Sequence, residues 1–261
     1  MASVDATHLF CAFLAAFLAS AINSVAGGGT MISFPILVAL GLPPIMANAT
    51  NTVGIWPGSV GSLWGFRREM ARVPVAMRWL LLPALVGGIS GAVLLRLTPS
   101  AMFDRLVPWL IFFATALFIL KGPIQRRLQS VEAARRAGSG WMAVAVFTQL
   151  LVAVYGGYFG AGMSIMMLSI LALLGMTDIL EMNAMTSLLA LVINGVAGVL
   201  FAQAGLVFWP YALAMVFGAV IGGYGAAGVA RKIGKKAVGN FVILVGLTMT
   251  VVMFFRLVRH S

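Results

Sequence analysis

Two stretches decide how this chain folds: Asn23-Ser24-Val25-Ala26-Gly27-Gly28-Gly29-Thr30 and Tyr155-Gly156-Gly157-Tyr158-Phe159-Gly160-Ala161-Gly162-Met163-Ser164. Each is a glycine-rich break between apolar segments. The segments before them are roughly 8–26 and 141–159; those after are roughly 30–41 and 163–175. Twelve helical residues rise about 18 Å, against about 30 Å of bilayer hydrocarbon, so the segments after the breaks are too short to span alone. Glycines break a helix, and in lipid the freed backbone groups need partners from protein, water or a ligand.

The surroundings are a membrane. Of 261 residues, 62% are hydrophobic and 9% are charged, where soluble domains carry about 25%. The mean hydropathy is +1.06. No charge falls between Asp5 and Arg67, from Ala137 to Thr177, or from Met182 to Ala230. Runs this long hold several spanning helices each, which excludes a soluble enzyme. The start of the chain lacks the positive region of a signal peptide. Ala19-Ser20-Ala21 resembles a cleavage site but precedes a repeat that needs the helix before it, so no cleavage is expected.

Further apolar segments at roughly 46–66, 74–96 and 104–120 are matched by 180–202, 207–230 and 237–255. The two sets repeat with an offset near 134. Gly28 maps to Gly162, Gly41 to Gly175, Thr52 to Thr186 and Gly61 to Gly195. The organisation is therefore a first repeat over 1–120, a basic linker over 121–140 and a second repeat over 141–261. Of the 17 Lys and Arg residues, 13 fall in three clusters: Arg67 to Arg78, Lys121 to Arg136 and Arg231 to Lys236. If all three face the cytoplasm, the positive-inside rule is obeyed. The equivalent of the first cluster in the second half, Ala202 to Gly205, is uncharged, so equivalent loops lie on opposite sides. That is the signature of an inverted repeat. It needs an odd number of crossings per half: five, or three with a re-entrant hairpin at the break. The net charge of +11 is explained by these anchors, without a nucleic-acid partner.

The breaks carry the candidate chemistry. Thr30 is placed to cap the short helix that follows, and Ser164 is placed likewise. The N-terminus of such a helix offers N–H groups and a positive dipole end to an anion. Tight helix packing through small residues is the alternative role for the glycines. Matched breaks opening short segments in both halves favour a substrate site. Asn23, Gly27, Gly28, Gly29 and Thr30 form its first part, and Gly157, Gly160, Gly162 and Ser164 its second. Asn48, Thr50 and Asn51, with Asn183 and Thr186 in the other half, add amides and hydroxyls that serve an oxyanion or cap helices equally well. Asp178 and Glu181 have the spacing of an N-terminal capping pair. Asn194 is a further buried amide without an assigned role, and Trp56-Pro57-Gly58 is expected to kink its helix. The lone Cys11 reads as a small buried side chain. The two histidines, His8 and His260, lie near opposite ends, and no catalytic set, metal cluster or nucleotide loop is visible. Neither an enzyme, nor a metal site, nor a cofactor is expected.

At these residues the chain resembles the sulfite exporter TauE/SafE family of membrane permeases. The resemblance rests on the Asn23 to Gly29 block with Pro35, Gly41 to Thr52, Trp56 to Gly58, Arg67-Arg68-Glu69, Tyr155 to Gly162, Met182-Asn183-Ala184 and Asn194-Gly195. It covers nearly the whole chain, in order and in both halves. It implies a substrate path through the glycine-rich blocks and the Ala-x-x-Thr region, seven or eight spans, and movement of sulfite, sulfonates or related small organic anions.

The expectation is an all-α polytopic membrane protein of the inner membrane, built from two inverted repeats. It would carry a small anion, a sulfur oxyanion foremost, by alternating access. A gated anion channel and an ion-coupled uptake permease for small organic acids are the alternatives. The expected partners are a small anionic substrate and membrane lipid; a homo-oligomer is left open.

Overall fold

The computed structural model describes residues 5–23, 28–130, 140–223 and 235–259. Among them every regular element is helical. The first half holds α1 (Ala6–Asn23), α2 (Thr30–Ala39), α3 (Pro44–Gly65) and the short α4 (Arg67–Met70). After a 3₁₀ turn at Val75–Leu80 come α5 (Leu81–Leu97) and α6 (Ser100–Ser130). The second half holds α7 (Gly140–Tyr158), α8 (Met163–Leu173), α9 (Ile179–Gln203), α10 (Trp209–Ile221) and α11 (Lys235–Arg259). Four stretches are long and apolar enough to cross a membrane: α1, Val75–Leu97, Ser100–Leu120 and α9.

Paired glycines adopt the same backbone conformation. Gly28 and Gly162 both have positive φ, 87° and 76°, and so do Gly41 and Gly175, at 90° and 88°. The last two end α2 and α8 in the same way. Gly41 N–H donates to Val38 O and Leu42 N–H to Leu37 O; Gly175 and Met176 make the equivalent bonds to Ala172 and Leu171. Each is a Schellman motif, in which a left-handed residue lets the chain turn back onto the last carbonyls.

Packing partners exchange between the halves. α1 packs on α10, and its equivalent α7 packs on α5, the equivalent of α10. α3 meets α10 as α9 meets α5, while α3 pairs with α9 and α6 with α11. One apolar cluster draws on Ala12, Phe34 and Phe103 from the first half and on Ile165, Phe201 and Tyr211 from the second, so the repeats interlock. Glycine lets the exchanged pairs approach. A Cβ on Gly222 would strike the carbonyl of Phe17 on α1, and one on Gly91 the carbonyl of Val154 on α7.

Two local expectations change. Thr30 does not cap α2: Gly29 is the cap residue and Thr30 is the first helical residue. Ser164 likewise lies inside α8, whose cap residue is Gly162. The reason in the first half is Asn23, whose Oδ1 accepts the Gly29 N–H at 2.7 Å and closes the break from the α1 side. In addition, α6 continues to Ser130, ten residues into the segment read as a linker. Charge there marks the end of the apolar stretch, not the end of the helix. Pro57 lies inside α3 without ending it.

Candidate functional site

The two breaks and the two long helices α3 and α9 meet around one cavity of about 190 Å³. α3 and α9 cross antiparallel: Gly198 approaches Val53, and Gly195 approaches Trp56, whose Nε1 donates to Leu191 O at 3.0 Å. From this crossing the cavity runs along Ser59, Ser62 and Phe66 on α3. On α9 it is lined by Asn194, Ala190, Ser187, Asn183 and Ile179. These are single helical stripes at spacings of three and four. The starts of α2 and α8 add Gly28, Thr30, Gly160, Gly162 and Ser164.

Matching positions of the repeat therefore share one wall. Gly28 faces the cavity with Gly162, Thr30 with Ser164, and Thr52 with Thr186. The cap residues of α2 and α8 make no side-chain cap bond of their own; Asn23 Oδ1 takes the Gly29 N–H, Met31 and Ile32 N–H donate to Gly28 and Gly29 O, and Met163 and Ile165 N–H donate to Gly160 and Gly162 O. The second break is held by its own bonds: Phe159 and Gly160 N–H both donate to Tyr155 O, and Tyr155 Oη donates to Ala161 O at 2.6 Å. None of the described lining residues is charged. Ile55, Phe159, Ile165 and Leu168 supply apolar wall between the polar groups. Asn51 and Thr186 are almost fully buried, at 1% and 5% exposure, and Asn51 Oδ1 and Thr186 Oγ1 have no hydrogen-bond partner among the described residues. Such buried polar atoms cost free energy unless something completes them.

Of the positions singled out by sequence, the cavity gathers Asn23, Gly28, Thr30, Asn51, Gly160, Gly162, Ser164, Asn183 and Thr186. Four others lie elsewhere. Asn48 Nδ2 donates to Tyr158 O at 2.9 Å and ties α3 to the end of α7. Thr50 Oγ1 accepts from Phe208 N–H at 2.9 Å, just before α10. A Cβ on Gly29 would meet the Ala19 backbone, and one on Gly157 the Gly88 backbone, so both serve close helix packing. Gly27 lies outside the described residues. Asp178 is the N-cap of α9, its Oδ1 accepting from Leu180 and Glu181 N–H at 2.7 and 3.4 Å.

Sequence reasoning missed Ser59, Ser62 and Ser187, and left Asn194 without a role. The signal was present as polar residues at helical spacing after Asn51 and Asn183. Thr52 appeared as a repeat match and as the end of the Gly41 to Thr52 stretch, without a binding role of its own. The cavity is also asymmetric. The equivalents of Ser59 and Ser62 are Ile193 and Val196, and those of Asn183 and Ser187 are Ala49 and Val53.

The comparisons agree with this architecture. A "Probable membrane transporter protein" of Haemophilus influenzae is 27% identical over 248 residues, covering 95% of this chain and 93% of the relative. "Probable membrane transporter protein ORF9" of a Sinorhizobium species is 29% identical, covering 92% and 89%. "Probable membrane transporter protein YfcA" of Escherichia coli K12 is 27% identical, covering 91% and 86%. No solved structure matches the chain. The family model for Sulfite exporter TauE/SafE matches residues 12–253, with both breaks and the whole cavity wall inside that range. This chain belongs to the sulfite exporter TauE/SafE family of membrane transporters.

Proposed function

We propose that the protein carries a small oxyanion, a sulfur-containing one such as sulfite or an organosulfonate, across the inner membrane by alternating access. One observation carries this reading: two short-helix N-termini, one from each half, open onto a single uncharged cavity with matched hydroxyls beside them. Helix N-termini offer N–H groups and a favourable potential to an anion without a fixed cation. Hydroxyls of Thr30, Ser164 and Thr186 and the amides of Asn51, Asn183 and Asn194 complete the shell, while the Thr52 hydroxyl donates to Asn48 O at 3.0 Å. Bound this way, the ion is held loosely enough to leave again. The volume of about 190 Å³ suits a small ion and falls below the usual range for drug-sized ligands.

The partner exchange between equivalent helices supports two halves that trade conformations about a fixed site. In the inverted arrangement, the two short helices enter from opposite faces and meet at mid-depth. The cavity extends from the α3–α9 crossing toward Phe66 and Ile179, next to the exposed arginines of α4. By the positive-inside rule that end is cytoplasmic. An anion leaving a negative interior gains about 2.3 kcal/mol per charge per 100 mV, so export runs downhill without a coupling ion.

The test is flux through purified protein in liposomes against a panel of sulfite, sulfonates and carboxylates. Saturable flux with counterflow, increased by a potential that drives anions outward, is expected. Flux that ignores the membrane potential removes the uniport mechanism. Unitary currents would replace the carrier with a channel.

A further inference from the structure

Resting on the transport reading above, we infer that the cavity selects by charge state and accepts oxyanions only as monoanions. The wall that an anion would touch holds amides, hydroxyls, backbone groups and apolar side chains, and none of the described lining residues is ionisable at neutral pH. The start of α9 also meets the cavity at Ile179, but the Asp178 carboxylate caps it, so the uncompensated positive potential comes from two helix starts, those of α2 and α8. Each helix N-terminus is worth roughly half an elementary charge, so the pair supplies about one. That balances one negative charge and leaves a second uncompensated.

The cost of that second charge is large. The self-energy of an ion in a low-dielectric site grows with the square of its charge, and burial without a counter-charge is what such sites reject. Among the described residues, charged groups flank the Phe66 and Ile179 end of the cavity. Arg67 donates to Trp64 O at 3.1 Å and stacks on the Trp64 ring, and Asp178 is engaged as the α9 cap. Glu69 and Glu181 accompany them, so the carboxylates offset much of the arginine charge there. None of these groups reaches the line of Asn51, Thr52, Thr186 and Asn194. Asn51 Oδ1 and Thr186 Oγ1, both without partners, add acceptor capacity in that wall. An acceptor beside an anion favours an ion that still carries an O–H to donate. A protonated monoanion satisfies both demands at once.

The experiment compares three probes in proteoliposomes at a clamped membrane potential: methanesulfonate, a monoanion at every working pH; sulfate, a dianion throughout; and sulfite, whose second ionisation lies near neutrality. Methanesulfonate reports any titration of the protein itself. With methanesulfonate flux flat from about pH 6 to about pH 9, sulfite flux at fixed total concentration is expected to fall about tenfold per pH unit above its second ionisation. Sulfate is expected not to cross. Sulfate flux comparable to methanesulfonate, or sulfite flux that stays level while methanesulfonate stays level, overturns charge selection and leaves the transport reading intact. No protein-dependent flux of any probe removes the transport reading and this inference together.

Discussion

Asn48 and Asn51 stand three residues apart in one polar stretch, yet they have different tasks. Asn48 is spent on the Tyr158 carbonyl, a bond between the halves inside the core. Replacing it with Ala leaves a buried acceptor unmatched and is expected to cost about 1–3 kcal/mol. A lower thermal midpoint in detergent, with unchanged KM in the protein that remains folded, is the expected pair of readings. Asn51 lines the cavity, and its Oδ1, like that of Asn48, has no partner among the described residues. Asn51→Ala is expected to leave the midpoint nearly unchanged. It should raise KM about tenfold or more, since a hydrogen bond to a charged ligand is worth about 1.5–3 kcal/mol. The sequence offers both amides equally. Their division depends on Tyr158, far along the chain, and no local pattern announces that partner.

At the scale of the helix, the breaks were legible because glycine is needed where φ is positive, at Gly28 and Gly162. The caps were legible only in part. Asp178 caps α9 as its spacing indicates, whereas Thr30 gives way to Gly29 because Asn23 reaches across the break. Asp178→Ala is expected to cost about 1 kcal/mol of stability through the lost cap. Transport should persist with its pH profile unmoved; loss of flux at normal expression would instead make that carboxylate part of ion coupling. The polar stripe Ser59–Ser62 was within reach of helical periodicity. It was overlooked because small hydroxyls in an apolar segment also satisfy themselves on their own helix, as Ser187 does on the Asn183 carbonyl.

For the molecule as a whole, the repeat offset could be read from paired glycines and matched segment order. The interlocking could not, since α1 meets α10 and α7 meets α5 between segments far apart in the chain. Its signature is glycine facing backbone. Gly91→Leu is expected to prevent α5 and α7 from closing, because the side chain would occupy the place of the Val154 carbonyl. The expected result is loss of the monodisperse peak in size-exclusion chromatography. Ser59, Ser62, Asn183 and Ser187 line the cavity, whereas the residues at the offset of 134, Ile193, Val196, Ala49 and Val53, are apolar.

That both halves hold one anion is tested most directly by removing one matched hydroxyl at a time. Thr30→Val and Ser164→Val would be reconstituted separately, and KM for the best probe anion measured beside expression and thermal midpoint. A rise of about tenfold in each, with stability unchanged, is expected from the lost hydrogen bond to a charged ligand. Wild-type KM in either variant would contradict a site shared between the halves.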